Sequence, residues 1–369
     1  MEDPAGRFST YYGLWVGHLS RGEPAPMREI AELFLREATA WPDCLETLIA
    51  HRSFGITCFY FGDFAGAHQH FQKTVELYDQ ARLADFANRF GEDPRAAAEI
   101  LDALILWALG RIDEALRLAE RALGNAESAA HAPTMGYVLT FAALLGLVRC
   151  KPDAVATYSR ALADIVSRHD LPALWVGWAT FLQSWAKKCE GAEVSSLAEM
   201  PRGLAIFREQ GGNWRVLEAA LAEAEASAGE TDGGLRRLDD ALAELERIEQ
   251  RWYEAEMHRI RGEILLKRDP ADTAAAEQSL QAAIAIAQSQ KARSFELRAA
   301  LSLAKLHRAA NRDGDAHAVL APAVDGFSPT RQFPELTEAQ TLLAALAQRD
   351  EMRDAVASAA NLPCDRRGR

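Results

Sequence analysis

The chain has 369 residues and a formal net charge of −12, with 53 acidic against 41 basic side chains. Affinity for nucleic acids and for anionic membranes comes mostly from clustered lysine and arginine, so this balance argues against both as partners. Alanine, the best helix former, supplies 70 residues, while aromatic residues stay at 8 %. This composition favours closely packed helices, and the length alone allows two or three domains.

The cysteine pattern and the N-terminal segment indicate the compartment. Five scattered cysteines, without any Cys-x-x-Cys spacing, predict neither a disulfide framework nor a structural zinc site. The first residues carry no basic stretch followed by an apolar core, so we expect no signal peptide. No apolar run reaches the roughly 18 residues that a membrane-spanning helix needs. Together these features predict a cytoplasmic protein.

A repeated phrase first appears at Phe54-Gly55 and continues through Gly62-Asp63-Phe64. Gly55 is expected where two helices cross closely. Gly62-Asp63 is expected to end the first helix and to cap the second. The second helix then carries a predicted buried stripe at four-residue intervals, at Ala67, Phe71 and Val75.

The phrase returns down the chain, with small residues at the equivalent positions 67, 115, 154, 234, 276 and 316. Most intervals lie near 40 residues, and the one double interval contains a weak copy near Met200 and Gly203-Leu204. A period near 40 with two helices per unit is typical of an α-solenoid. We therefore predict an all-α superhelix of antiparallel helix pairs. It is one continuous array over residues 1–348, with about eight pairs including a capping helix, followed at 349–369 by a helix end and a disordered tail.

The spacing from Gly55 to Phe71 resembles a tetratricopeptide repeat with slightly long helices. Four further segments are similar to the C-terminal repeat region of large bacterial signalling proteins, in which a class III nucleotide cyclase or a transcription-factor domain precedes a signalling ATPase. These segments are 89–94, 106–110, 252–263 and 294–300. Residues 11–39 already resemble a helix pair of the array. In the proteins that this chain resembles, the ATPase and cyclase domains precede the repeats. The resemblance therefore implies neither ATPase nor cyclase chemistry in this chain.

Catalytic signatures are missing from the sequence. It contains no Gly-Lys dipeptide, no Gly-x-Gly-x-x-Gly, no His-Glu-x-x-His and no Gly-x-Ser-x-Gly. His68 and His70 are two residues apart, which points them to different sides of a helix. The carboxylates between Asp239 and Glu246 are best interpreted as a solvated helix face beside arginines. We predict no catalytic, cofactor-binding or metal-ligating residues.

Tryptophans form two groups. The first group lies on one face of a single predicted helix and consists of Trp175, Trp178 and Trp185. This face either fills the core or forms an exposed aromatic wall that binds a peptide. The others are expected to pack near helix ends, at Trp107, Trp214 and Trp252.

In a solenoid of helix pairs, the first helix of each pair is expected to line the concave surface. Counting from the close-approach position predicts a basic inner strip in the C-terminal half, formed by Glu256, Arg259, Glu263, Arg298, Lys305 and Arg308. The N-terminal half is predicted to present an apolar and aromatic face that includes Arg52 and Phe59. We hypothesise that the strip receives an acidic peptide or a carboxylate. In the alternative, Glu256 and Glu263 neutralise the strip in intramolecular ion pairs.

These features favour a non-catalytic tetratricopeptide scaffold that binds a protein or peptide in its concave groove, in bacterial signalling. The alternative is the regulatory or sensor arm of a nucleotide cyclase or signalling ATPase whose catalytic domains lie elsewhere. An all-α enzyme is the third possibility, but no site assembles from the residues to support one.

Overall fold

The computed structural model describes residues 4–41, 44, 46–79, 87, 89–191 and 194–360. These residues form seventeen helices and no strand: α1 Pro4–Arg21, α2 Pro24–Thr39, α3 Glu46–Tyr60, α4 Phe64–Glu76, α5 Pro94–Ala108, α6 Ile112–Ala129, α7 Ala132–Val148, α8 Pro152–His169, α9 Ala173–Cys189, α10 Val194–Glu209, α11 Val216–Ser227, α12 Thr231–Ile248, α13 Glu254–Arg268, α14 Ala274–Ser289, α15 Arg293–Ala309, α16 Asp313–Val324 and α17 Pro334–Ala360. None of these helices is long and apolar enough to cross a membrane.

The helices pack as successive antiparallel pairs, from α1 with α2 to α15 with α16, and α17 packs on the last pair. The predicted all-α solenoid is confirmed. The helix over the predicted cap runs on to residue 360, and the predicted disordered tail from 361 onward lies outside the described residues.

The first repeat shows why the phrase has its spacing. A Cβ at Gly55 would lie 3.0 Å from the Phe71 ring, so a larger residue would push this ring away from the crossing of α3 over α4. Gly62 takes the left-handed conformation at φ +80°, and the Asp63 carboxylate accepts from the Gly66 amide at 2.9 Å. The turn and the cap that the sequence predicts are both present.

The weak copy near Met200 is the closest helix crossing of this kind. A Cβ at Gly203 on α10 would lie 2.5 Å from the Phe181 amide nitrogen, and one at Gly177 on α9 would lie 2.7 Å from the Phe207 amide nitrogen. Backbone meets backbone here, so neither neighbour can move aside as a flexible side chain would. The two glycines hold this pair together although its repeat signature is faint.

We expect Gly203→Ala to lower the free energy of unfolding by about 1–3 kcal/mol, because the added methyl overpacks a backbone contact. Gly124→Ala is the matched control on α6, where a Cβ meets nothing within 4 Å. There the better helix former should raise stability by about 0.5–1 kcal/mol. Urea unfolding of both variants checks the opposite signs, and equal effects would contradict the close crossing.

The two helices of a pair differ in burial. Helix α5 buries 14 of its 15 residues, whereas its partner α6 buries 6 of 18. A helix that is buried on every side must have protein on its concave side as well. The first helices therefore do not line an open channel along their whole length.

The concave side is closed by contacts between distant repeats. The Arg251 amide donates to the Tyr60 carbonyl at 2.8 Å, and the Ser294 hydroxyl donates to the Trp107 carbonyl at 2.5 Å. The ends of α3 and α5 thus meet the beginnings of α13 and α15. The superhelix winds tightly enough for its first and second halves to touch.

Aromatic rings fill the space between these halves. They form a continuous chain with neighbouring centroids 4.9–6.1 Å apart, here called the aromatic spine: Trp178, Phe141, Trp214, Phe59, Trp252, Tyr253, Phe295, Trp107 and Phe333. The predicted packing of Trp107, Trp214 and Trp252 near helix ends is confirmed by these contacts. Trp178 and Trp185 are buried and Trp175 is half-buried, so these three residues do not form an exposed aromatic wall.

Candidate functional site

The predicted inner residues do not form an exposed strip. The residues that the fold buries are Arg52, Phe59, Glu256, Arg259 and Arg298. Glu263 is half-exposed, and only Lys305 and Arg308 are exposed. The prediction of an accessible basic strip therefore does not hold for Arg259 and Arg298, because the tight winding covers the first helices.

The two buried arginines belong to an ion cluster, defined here as Glu223, Glu256, Arg259, Glu263, Arg298 and Glu335. Glu256 lies 2.8 Å from both guanidinium groups, and Glu263 lies 2.6 Å from Arg259. Glu223 and Glu335 lie farther out, at 3.7 Å from Arg259 and 3.5 Å from Arg298. Four carboxylates thus share two guanidinium groups. This arrangement matches the alternative in which Glu256 and Glu263 neutralise the arginines in intramolecular ion pairs. Carboxylates outnumber guanidinium groups in the cluster.

The carboxylates of the ion cluster differ in their electrostatic balance. Burial alone would raise the pKa of Glu263, but Arg259 and the Ser302 hydroxyl at 2.7 Å lower it to about 2. Burial raises the pKa of Glu223, and the more distant Arg259 does not compensate for it. The ionised form is therefore favoured at Glu263 and disfavoured at Glu223.

These opposite shifts predict opposite effects of neutralisation. An unfolded glutamate titrates near pH 4.3, so ionised Glu263 stabilises the fold above about that pH and loses this contribution as the pH falls towards 2. Glu263→Gln should lower stability at pH 7, and its difference from wild type should shrink between about pH 5 and 3. Glu223→Gln should leave stability at pH 7 unchanged or raise it. Urea unfolding against pH tests this, and equal losses in both variants would contradict it.

The exposed end of the predicted strip borders a groove of about 720 Å³ between α15 and α17, here called the C-terminal groove. Its apolar floor is formed by Pro334, Leu342 and Ala345, and its basic edge by Lys305, Arg308 and Arg331. Lys305 is paired with Glu338 at 2.7 Å. No hydrogen bond or ion pair joins Arg308 or Arg331 to another described residue. Arg331 was not predicted, because it lies in the turn before α17 rather than on a helix face.

A second space lies between the N-terminal repeats and the middle of the array, with lining residues from 12 to 214. This lumen cavity of about 330 Å³ has aromatic walls formed by Tyr12, Trp15, Phe59, Tyr137, Phe141, Trp175, Trp178, Phe207 and Trp214. Arg52 and Glu92 also line it and form an ion pair. Burial opposes the charge of Arg52, but Glu92 holds its pKa above the usual range. The Arg52 side chain is buried, and its Nε has no hydrogen-bond partner among the residues that the structure describes.

Glu92 reaches the cavity from the segment 89–94, which begins the repeat of α5. Gly91 has φ +88°, a conformation that turns the chain before the helix. Asp93 caps α5 by accepting from the amides of Arg95 and Ala96 at 2.8 and 3.3 Å. Glu92 is thereby fixed beside Arg52, 40 positions away in the chain. The sequence did not predict the pairing of Glu92 with Arg52, because Glu92 lies between helices, where no helical periodicity indicates which residue it contacts.

The histidines at 68 and 70 and the carboxylate Asp239 have hydrogen-bond or ion-pair partners within the fold. His68 lies 2.7 Å from Asp102, whereas His70 lies 3.0 Å from His51, so the two histidines of 68–70 do face different neighbours. Arg261 donates to Asp239 at 2.7 Å on the surface of α12. Within the described ranges, no group of three or more histidine, cysteine or acidic residues could hold a metal ion.

Comparison with solved structures agrees with this architecture. The Rap protein complexed with Competence and Sporulation Factor aligns over 85 % of this chain and 95 % of that one, at 12 % identity and a TM-score of 0.54. Yeast Tom70 aligns over 89 % of this chain and 61 % of that one, at 14 % identity and a TM-score of 0.45.

Comparison with sequences identifies one relative and no family. No family model matches the chain. An uncharacterized protein of Rhizobium meliloti (strain 1021) is 26 % identical over 257 residues, which are 68 % of this chain and 25 % of that protein. The chain thus matches about a quarter of the length of this curated relative. Fold and likeness together describe a tetratricopeptide-like helical array.

Proposed function

We propose that the chain is a non-catalytic tetratricopeptide-like scaffold that binds an acidic segment of a protein or peptide partner in the C-terminal groove. The observation that carries this proposal is the pair of exposed arginines, Arg308 and Arg331, which have no partner among the described residues and lie beside an apolar floor. A solenoid of this kind offers surface for contacts rather than a centre for chemistry.

The charge of the groove selects the partner. A guanidinium group binds a carboxylate through two parallel hydrogen bonds, and that geometry favours Asp or Glu side chains over neutral ones. Lys305 is already paired with Glu338, so it can exchange partners but adds less net attraction. Leu342 and Ala345 offer apolar contact to residues next to the acidic ones. The solved Rap protein, complexed with Competence and Sporulation Factor, supports by analogy a binding role for this fold.

The experiment is affinity capture from an extract of the source cells with charge-reversed variants, followed by mass spectrometry. We expect a partner that wild type retains and that Arg308→Glu/Arg331→Glu loses by at least tenfold. The control is Arg168→Glu/Arg202→Glu, which makes the same charge change at exposed arginines of α8 and α10. Equal capture by both double variants would contradict the groove as the binding surface.

A second candidate function is the regulatory arm of a larger signalling protein, such as a nucleotide cyclase or a signalling ATPase. The specific observation in its favour is that the Rhizobium meliloti match covers only 25 % of that protein. Copurification of a cyclase or ATPase that depends on Arg308 and Arg331 would select this function. ATP hydrolysis or cyclic nucleotide formation by the purified chain alone would overturn the scaffold proposal.

A further inference from the structure

We infer that the lumen cavity is a binding site for a small amphipathic molecule, whose flat apolar body lies between the tryptophans and whose polar head both donates and accepts hydrogen bonds at Arg52 and Glu92. The chemical class is that of an aromatic α-amino acid. This inference concerns a site separate from the C-terminal groove and does not depend on the proposed scaffold function.

The size and the walls of the cavity suit such a body. A volume of about 330 Å³ lies at the lower end of the range for small-molecule sites, which is roughly 300–1,000 Å³. Trp15 on α1, Trp175 and Trp178 on α9, and Trp214 before α11 converge on the same space. Aromatic rings prefer offset or edge-to-face contacts with other rings, so these walls favour a ring over a branched aliphatic group.

The polar end of the cavity suits a head group with both signs of charge. Arg52 is 3 % exposed, lines the cavity and is paired with Glu92, which lines it as well, so this end of the cavity carries both signs of charge. A ligand with only a carboxylate would meet repulsion from Glu92, and one with only an ammonium group would meet repulsion from Arg52. A zwitterion matches both.

The cavity has a route to solvent. Its outer lining includes Ser20 at the end of α1 and Gln210-Gly211 after α10, all of which are exposed. Gly211 has φ +82°, and a Cβ at Gly212 would lie 2.3 Å from the Phe207 ring. The double glycine thus lets this turn pass tightly over Phe207 without closing the mouth.

The first test is calorimetric titration of the full chain with L-phenylalanine, with tryptophan fluorescence as a second readout because four tryptophans line the cavity. We expect saturable binding of L-phenylalanine and none of L-alanine. N-acetyl-L-phenylalanine, which lacks the ammonium group, should bind at least tenfold more weakly. Equal binding of L-phenylalanine and L-alanine, or no binding of L-phenylalanine, would overturn the inference.

A peptide end carries the same chemistry as a free amino acid. The tripeptides Phe-Gly-Gly and Gly-Gly-Phe therefore form two further arms of the titration. Tighter binding of either tripeptide than of free L-phenylalanine supports the inference and assigns the ligand to a peptide terminus. Weaker binding of both supports it and assigns the ligand to a free small molecule.

Variants locate the site. Ser20→Trp obstructs the mouth from an exposed position, and Ile56→Phe fills the cavity from inside. Each should weaken L-phenylalanine binding at least tenfold, as should Arg52→Gln. Arg259→Gln is the matched control, because it alters a buried arginine outside the cavity. Circular dichroism establishes that each variant is folded. Unchanged binding in folded Ser20→Trp and Ile56→Phe would overturn the assignment to the lumen cavity.

Discussion

Replacing Trp252 by alanine lowers the free energy of unfolding by about 3–5 kcal/mol, the range for removal of a fully buried large aromatic side chain. Trp252 is 1 % exposed and is a central member of the aromatic spine. Its ring lies 4.9 Å from that of Phe59, 5.7 Å from Trp214 and 5.0 Å from Tyr253. These neighbours come from three different parts of the chain, so removal of the Trp252 ring destabilises contacts in both halves of the superhelix.

Urea unfolding followed by near- and far-ultraviolet circular dichroism measures this effect. Trp41→Ala is the matched control, because Trp41 is 48 % exposed and its removal should cost less than about 1 kcal/mol. We also expect a single unfolding transition in the wild type, since the spine links repeats that are not neighbours. A loss below about 1 kcal/mol at Trp252 would mean that the spine adds little to stability.

The second large effect is expected at Glu256, the carboxylate shared by Arg259 and Arg298. Glu256 is 1 % exposed, and its removal leaves two buried guanidinium groups with less compensation. Breaking a buried ion pair on one side typically costs about 3–5 kcal/mol. We expect Glu256→Ala near the lower end of that range, because Glu263 remains 2.6 Å from Arg259.

A double-mutant cycle with Arg298→Ala separates pairing from packing. If the pair is coupled, the double variant should lose less stability than the sum of the two single variants by more than about 1 kcal/mol. Glu199→Ala provides the control, since Glu199 and Arg202 form an exposed pair at 3.2 Å that contributes about 1 kcal/mol at most. Additive losses at Glu256 and Arg298 would show that the two side chains stabilise the fold by packing alone and not by their ion pair.

The helix pairs could be predicted from the sequence because each unit carries its own local signals. Gly55 marks a crossing, and Gly62-Asp63 marks a turn and a cap. The stripe at Ala67, Phe71 and Val75 marks a face that is buried at the first two residues and half-buried at Val75. Each signal depends on residues within about 20 positions of one another, and the structure shows each of them in the predicted role.

The exposure of the concave side could not be predicted in the same way. It depends on how far each pair rotates relative to the next, and no local pattern records that rotation. Arg298 was expected on an open surface, but tight winding brings it 3.0 Å from the Val148 carbonyl, 150 positions earlier in the chain. Arg52 was likewise expected to face a partner and instead meets Glu92. Of the predicted inner residues, the fold leaves Lys305 and Arg308 exposed at the C-terminal groove.

The bond between Ser294 and the Trp107 carbonyl, which spans 187 positions, has a consequence for the ribosome-bound chain. At a synthesis rate of about 5–20 residues per second, α5 waits on the order of ten to forty seconds for α15 to emerge. During that time Trp107 lacks its ring contacts with Phe295 and Phe333. The nascent N-terminal half therefore exposes aromatic surface that is buried in the folded protein. Protection by a chaperone from aggregation would be needed during this interval.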